Sequence, residues 1–441
     1  MVVVGGGLAG ISAALELADR GHEVTLVERS RNLGGLCRSV PDQVAGRVDT
    51  GQHVFLGCCT ALEDLLRRIQ APPAARQERL ELVVVARSGR WRRLRSAPLP
   101  GALHLLPVLL GWPGLPSRSL PAAAWVTGAL RSAGNHPTLL DSTPARSWLE
   151  SLGQDPDLIE AVWEPFLVSA CNVRLENCSA ALAAFVIGQG MLAGPAAAAM
   201  RIPATDLTAW LDPPARRELE RVGVRVELGW RATGLVQGRS GRHRLQGAAG
   251  QELGAEWVVL ATPARAAERL LGDRTPPQLR AAANLPASPI VNIHLFTDRP
   301  FLPGPVVAVP RSPLQWIFDR SALGDPQQEL AGDPVFHSAV SVSAADTEVT
   351  VPEATLLEQT WALCQRLFPA AFRARLRHGR VTREAQATFA ALPGSAAARP
   401  GPASGVAGVV FAGNWTATGW PATMEGAVRS GAAAVRELLT A

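Results

Sequence analysis

An α/β fold built around a Rossmann-type domain is what this sequence predicts, and three observations predict it. Val2-Val3-Val4 runs through Gly5-Gly6-Gly7-Leu8-Ala9-Gly10 into an apolar stretch at 11–20, followed by Gly21-His22, a second apolar run at 23–27, and Glu28. Trp257-Val258-Val259-Leu260-Ala261-Thr262-Pro263 reads as a buried strand ending at a turn. Val409-Val410-Phe411-Ala412-Gly413-Asn414-Trp415 reads as another, followed by a loop and a helix over 419–431.

The first stretch is strand, glycine turn, helix, turn, strand and acid. Gly5, Gly7 and Gly10 fit G-x-G-x-x-G. The first glycine allows the tight turn, the second lets the backbone approach a pyrophosphate, and the third lets helix and strand pack closely. Helix N-terminal amides and the dipole favour phosphate there. Glu28 closes the second strand, where a carboxylate accepts hydrogen bonds from ribose hydroxyls. A dinucleotide is the ligand these positions predict.

Further along, residues 48–57 (VDTGQHVFLG) look like a turn followed by a strand, and 62–69 like a helix. Residues 80–86 and 91–94, around Ser88-Gly89-Arg90, read as a hairpin. The stretch 98–130 is apolar and proline-rich, with Leu105, Leu106, Leu109, Leu110 and Trp112. Two readings fit it: a buried helical cap, or an interfacial helix pair that lies in the membrane plane and admits a lipid. Residues 140–200 read as helical, with Trp163-Glu164-Pro165-Phe166 as an internal break. Gly188, Gly190 and Gly194 do not form a second dinucleotide loop, because the spacing is wrong and no strand with a ribose acid follows. Strands are expected at 222–228 and 232–237. Those around 290–296, 306–309, 315–319 and 336–342, with a helix at 355–368, predict a second sheet and its covering helix.

Of the 441 residues, 47% are hydrophobic and 18% charged, ample for two domains sharing one ligand. The net charge of +5 is carried by arginine alone, because the chain has no lysine, and it has no tyrosine either. A lysine Schiff base is therefore excluded. Arg87, Arg90, Arg92, Arg93 and Arg95 form a basic cluster that fits a solvated face or an anionic membrane surface. No nucleic-acid motif accompanies it. Six cysteines show no C-x-x-C and no paired histidine spacing, so neither a disulfide framework nor a metal site is expected. The first strand begins at residue 2, leaving no room for a signal peptide. No run approaches the ~18 unbroken apolar residues of a membrane-spanning helix. A cytoplasmic location, peripheral on the membrane face, is expected.

Residues 29–39 (RSRNLGGLCRS) place Gly34-Gly35 almost directly after the ribose acid. With the glycine fingerprint and the C-terminal run Phe411-Ala412-Gly413 … Trp420 … Met424-Glu425-Gly426-Ala427-Val428, the chain resembles the flavin-containing amine oxidase and phytoene desaturase superfamily. The resemblance implies FAD, with the C-terminal strand-turn-helix closing over the ribityl chain and flavin ring. It implies a discontinuous Rossmann-type FAD-binding domain (1–70, 215–275, 401–441), a mixed-sheet substrate domain (71–95, 276–400) and a helical cap (96–214). The cofactor-binding residues it implies are Gly5, Gly7, Leu8, Ala9, Gly10, Glu28, Arg29, Gly34, Gly35, Leu36, Gly51, Gln52, His53, Ala232, Ala261, Thr262, Gly413, Asn414, Thr423 and Met424.

Residue types then prune the reactions. Thr423 stands where monoamine oxidases place a cage tyrosine, and the lysine that polyamine oxidases use is absent. Asn414 stands where related desaturases have an aspartate. The run Asp49-Thr50-Gly51-Gln52-His53-Val54-Phe55-Leu56-Gly57 closely resembles the squalene-associated FAD-dependent desaturases, understood as hydroxysqualene dehydroxylases of hopanoid pathways. Trp163-x-Pro165, Asn172 and Arg201-Ile202-Pro203 leading to Leu207 are similar to that family too. The implied reaction replaces the hydroxyl of hydroxysqualene, an isoprenoid lipid, with hydrogen to give squalene. A carotenoid desaturase or isomerase is the first alternative, an amine oxidase the second, and a non-catalytic flavin-binding scaffold the third. The sequence assigns no electron donor.

Hydroxide is a poor leaving group, so an acid is required. His53 is the first candidate, with a loop-orienting histidine as the other reading. Glu425 either serves the dipole at the N-terminus of the last helix or takes part in catalysis. Gln52 is a candidate donor to the substrate oxygen or the flavin. Glu164 and Asp319 are remote candidates. Cys58 and Cys59 read as packed against a strand.

Overall fold

The computed structural model describes residues 1–119, 121, 128, 137–238, 242–325 and 328–440. Five parallel strands make the sheet that carries the glycine fingerprint, in the order Arg225–Leu228, Thr25–Glu28, Val2–Val4, Val258–Leu260, Val409–Phe411. Parallel strands are covered on both faces, which is why these segments are nearly unbroken Val and Leu. Val3, Leu26, Val259 and Val410 face a core completed by Ile11 and Leu15 of helix Leu8–Asp19, by Leu207, Trp210 and Leu211 of helix Leu207–Arg221, and by Ala434 and Val435 of helix Met424–Thr440. Val2, Val4, Val258 and Leu260 face the opposite core with Leu270, Leu271 and Leu279. A three-stranded antiparallel meander, Ala232–Gln237, His243–Gly247 and Glu252–Ala255, sits between the second and third visits to the sheet.

A mixed sheet forms the second layer. Its strand order is Leu376–Phe389, Ala287–Thr297, Asp333–Ser343, Gln315–Asp319, Val306–Val309, Glu81–Val85, Trp91–Arg95, with Gln328–Leu330 added to Asp333–Ser343. The Glu81–Val85/Val306–Val309 pair is parallel and its neighbours are antiparallel. Period-two alternation divides the sheet between two cores. Val83, Val85, Val307 and Ile317 meet Leu356, Cys364 and Leu367 of the covering helix Glu353–Leu367. Leu82, Val84, Val306, Trp316 and Phe318 meet a helical layer holding Trp148, Leu149, Trp163 and Leu167.

Several local expectations change. Residues 48–57 are not a turn followed by one strand. Gly46–Asp49 is itself a strand, paired with Ser39–Asp42, and the turn at 50–54 comes before a two-residue strand, Phe55–Leu56. The expected break at Trp163–Phe166 is absorbed instead: a π-helical turn, Ile159–Trp163, feeds Glu164–Cys171, with Pro165 in its first turn where a missing N–H is tolerated. Leu105 and Trp112, expected among the apolar contact residues of 98–130, are buried against this helical layer. Part of that stretch, at 120, 122–127 and 129–130, lies outside the described residues. No helix among the described residues is long and apolar enough to cross a membrane.

Candidate active site

Glycine packing builds one end of the site. Gly5 turns the chain at φ 112°, with its amide on the Val27 carbonyl at 2.8 Å. A Cβ at Gly10 would lie 1.8 Å from the Gly5 carbonyl oxygen, so any side chain there would push the helix off the turn. Gly34 donates to the Gly6 carbonyl at 2.8 Å, which lays the Gly34-Gly35 loop over the first turn. Helix Leu8–Asp19 starts at Gly7 with no side-chain cap, leaving the N-terminal amides of Leu8, Ala9 and Gly10 to an anion.

Glu28 is buried and fixed. Its Oε2 accepts the Gly6 amide at 2.7 Å, and its Oε1 accepts the Ser30 amide at 2.8 Å and the Ser30 hydroxyl at 2.7 Å. Each oxygen of an ionised carboxylate accepts more than one bond, so this network aims Glu28 without exhausting it. Arg29 beside it is exposed, as is Leu36. Ala232 opens the meander just past Trp230, whose amide donates to the Glu28 carbonyl at 2.9 Å.

The C-terminal segment closes on the same turn. The Ala261 amide donates to Val4, and Trp415 Nε1 donates to the Thr262 carbonyl at 2.9 Å. The Gly413 amide donates to Ser430 Oγ at 2.7 Å, and Ser12 Oγ donates to the Val428 carbonyl at 3.0 Å. Asn414 is half-buried, and its carbonyl accepts from Arg399. Met424 is half-buried at the start of the last helix. Thr262 Oγ1 is buried with no partner in the protein.

Glu425 corrects one expectation. The N-terminus of the last helix is served by Thr423, whose Oγ1 accepts the Gly426 amide at 3.2 Å. Glu425 is wholly buried and points outward to another helix, Thr60–Arg68, where it accepts the amides of Ala61 at 3.1 Å and Leu62 at 2.7 Å. Arg429 completes the set at 2.7 Å.

The 49–53 segment lies beside the second glycine loop. The Thr50 amide donates to the Arg38 carbonyl, and the Thr50 hydroxyl donates to the carbonyls of Arg38 and Leu36. His53 Nδ1 donates to the Gly51 carbonyl at 2.8 Å, and Cys37 is the neighbouring side chain that acts on the ring. Burial opposes the charged ring, but Cys37 and the Gly51 carbonyl outweigh it and raise its pKa above the ordinary histidine value. The Gln52 side chain donates to the His53 carbonyl, and the Gln52 backbone amide to Asn292 Oδ1. Glu164 and Asp319 are elsewhere: Glu164 lies in the helical layer near Arg146, and Asp319 caps the short helix Arg320–Leu323. Cys59 leads into helix Thr60–Arg68, with its thiol pKa pushed up by a hydrogen bond with the free thiol of Cys58 and by burial.

Cys37, Asn292, His294 and Thr382 were not legible as site residues. Asn292 and His294 alternate with Val291, Ile293 and Leu295, the pattern of a half-exposed strand, yet both are buried. Uncharged polar residues at every other position of an apolar strand are the signal that was available.

Fold and site together define an FAD-dependent oxidoreductase. The observations that fit FAD are the side-chain-free helix mouth, the close-packed glycines and the unpartnered Thr262 hydroxyl. The family model for flavin-containing amine oxidoreductases matches residues 8–439, and the chain belongs to that family. It is 30% identical over its full length to a hydroxysqualene dehydroxylase of Rhodopseudomonas palustris, covering 98% of that protein. It is 28% identical to that of Sinorhizobium fredii, over 97% of this chain and 95% of the other. A 15-cis-phytoene desaturase of Synechococcus elongatus is 24% identical over 98% of this chain and 94% of its own. Among solved structures, putrescine oxidase bound to putrescine superposes with a TM-score of 0.72 at 15% identity, covering all of this chain and 98% of that one, a likeness of fold.

Proposed function

We propose that this enzyme reductively dehydroxylates hydroxysqualene to squalene, in hopanoid biosynthesis. The observation that carries the reading is the end-to-end similarity to two proteins of that name, at 28% and 30% identity. The residues support it: the chain has neither the lysine nor the tyrosine on which amine oxidation in this family relies. Segments 1–70, 215–275 and 401–441 form the FAD unit, 71–95 and 276–400 the substrate unit, and 96–214 the cap. Helix Leu207–Arg221 runs across the 214/215 boundary and packs Leu207, Trp210 and Leu211 in the core of the FAD sheet, so the cap ends before this helix begins.

When bound, reduced FAD supplies the hydride equivalent. The chain's residues do the rest. The glycine turns and Glu28 orient the cofactor. His53, with its pKa raised beside Cys37, holds a proton for the departing hydroxyl, which leaves as water, and the Gln52 amide lies beside it. The C–O bond would break and one C–H bond form at the same carbon, with bound reduced FAD as the source of the two electrons.

The isoprenoid substrate reaches the site from a membrane on whose cytoplasmic face the protein rests. Leu103, Leu106 and Leu110 are 58%, 49% and 61% exposed on the stretch Gly101–Gly111. Leu110 shares a shallow hollow with Trp91, Arg90 and Arg92, an apolar surface edged by cations that suits an anionic bilayer.

The test offers anaerobic enzyme, in separate reduced and oxidised samples, hydroxysqualene, phytoene and a polyamine in parallel, in D₂O. Squalene carrying one deuterium at the carbon that lost oxygen is the expected product. Turnover of phytoene alone by oxidised enzyme would transfer the assignment to a carotenoid desaturase.

A further inference from the structure

The turn at 49–53 is held by side chains that arrive from the mixed sheet. Asn292 Oδ1 accepts the Gln52 amide at 3.0 Å while its Nδ2 donates to the Thr50 carbonyl at 3.2 Å. Thr382 Oγ1 lies 3.1 Å from the Thr50 carbonyl and 3.2 Å from that of Asp49. His294 Nε2 lies 3.0 Å from the Asp49 carbonyl. Asn292, His294 and Thr382 are all buried. The ribbon pairing ends at Asp49 and Thr50, so the carbonyls of both residues and the Gln52 amide need other partners, and these three side chains supply them.

Behind His294 stands a chain of ionisable groups. His294 Nδ1 is 3.0 Å from His337 Nε2, His337 Nδ1 is 2.9 Å from Asp325 Oδ2, and Asp325 is gripped by Arg320 at 2.5 and 3.2 Å. Hydrogen-bond polarity orders it. A carbonyl only accepts, so His294 must donate at Nε2 and accept at Nδ1. His337 must therefore donate at Nε2. Asp325, an acceptor held ionised by His337 and Arg320 against the burial penalty, receives the other His337 proton. His337 donates to both neighbours, to His294 on one side and to Asp325 on the other, and on the His294 side the chain ends on a backbone carbonyl. Such a chain anchors and does not conduct protons.

We infer that Asn292, His294 and Thr382 are positioning residues that hold the 49–53 turn in place for His53, with Asp325 and His337 fixing the proton that His294 donates. The inference rests on the reading that residues 51–53 line the flavin. It assigns the mixed sheet a part in the geometry of the reaction centre as well as in substrate binding.

The test uses the FAD-loaded enzyme and three variants: His294→Gln, whose amide nitrogen stands where Nε2 stood, His294→Leu, and Thr382→Val. Three readouts are taken: hydrogen exchange in peptides spanning 48–55, absorbance of the oxidised flavin, and turnover against KM. His294→Gln should match the parent in all three. His294→Leu and Thr382→Val should exchange about tenfold faster there, as loss of a buried hydrogen bond allows. They should also shift the flavin bands and lower turnover about tenfold or more at unchanged KM, as misplacement of a reacting group does. If His294→Leu fails to fold, the near-isosteric Thr382→Val decides alone. Exchange unchanged in the folded variants overturns the clamp itself. Faster exchange with parental flavin absorbance and turnover overturns the positioning role, and shows that the placement of 51–53 at the flavin is the part that failed.

Discussion

Glu425 and Leu62, 363 residues apart, are joined by a 2.7 Å hydrogen bond from the Leu62 amide to a wholly buried carboxylate. The last helix thereby caps the helix that follows the 49–57 segment, where the dipole favours an anion. Glu425→Ala should lower unfolding free energy by about 2–4 kcal/mol, from two orphaned amides and a lost cap. Turnover per bound FAD should stay within a few-fold of the parent. Urea unfolding and activity per flavin separate the cases: intact stability with lost turnover would make Glu425 the acid.

Glu28 holds the Gly6 and Ser30 amides, and the proposed reading gives it the FAD ribose as well. Glu28→Gln keeps one acceptor oxygen and Glu28→Ala keeps none, so FAD affinity should fall in that order. Each charge-assisted bond lost to the ribose is worth about 1.5–3 kcal/mol, roughly 10- to 150-fold in Kd. Titration of apoenzyme with FAD checks it, and equal affinities across the three proteins would refute the assignment.

His53→Ala should cut turnover by about 10²–10⁴-fold with FAD binding nearly intact. The raised pKa of His53 means the proton is held to higher pH than in a free histidine, so activity should fall on the alkaline side of the ordinary histidine range. Cys37→Ala removes a group that raises that pKa, so the alkaline limb should move to lower pH. An unmoved pH–rate profile would show that another group is being titrated.

Asp49 gives a stability signature. Burial, working against Arg320 and the bonds from Leu207 and Ser39, raises its pKa to about 6. The folded state binds this proton more tightly than the unfolded chain does. The stabilisation is therefore fully present below about pH 4 and is lost as pH rises through 6, a span of about 3 kcal/mol. Asp49→Asn keeps the Oδ1 acceptor and carries no charge. Its stability relative to the parent should improve by roughly that amount between pH 4 and 7.5, a difference in which the other titrating groups, His294 among them, largely cancel. A pH-independent difference in urea unfolding would count against the raised pKa.

The exposed leucines can be tested without touching the core. Leu103, Leu106 and Leu110 to serine should reduce flotation with anionic liposomes while FAD content and stability hold, because these side chains already face water. Equal flotation would leave the patch without a membrane role.

The ends of the fold were legible because their chemistry is local. Gly5, Gly7, Gly10 and Glu28 lie within one βαβ unit, and the strands at 258–260 and 409–411 are unbroken apolar runs. Strand Leu376–Phe389 was not legible. Its sequence, LRHGRVTREAQATF, is largely polar and offers the core only Val381 from its middle, so its existence depends on pairing with Ala287–Thr297. The acceptor role of Glu425 toward Leu62 was hidden for the same reason: the first turn of its own helix was a sufficient local explanation for an acid. The grip of Asn292 and His294 on the 49–53 turn is a relation between distant segments, and no periodicity encodes it.

The central sheet is threaded from four visits of the chain, and its outer strand Val409–Phe411 leaves the ribosome roughly 400 residues after Val2–Val4. At about 5–20 residues per second, the nascent fingerprint waits some 20–80 s for the strand that completes its sheet. Once Val258–Leu260 has emerged, its outer edge is bare until Val409–Phe411 follows, and helix Met424–Thr440, which packs on helix Leu8–Asp19, does not yet exist. Cofactor capture is thus a late event in the life of each molecule.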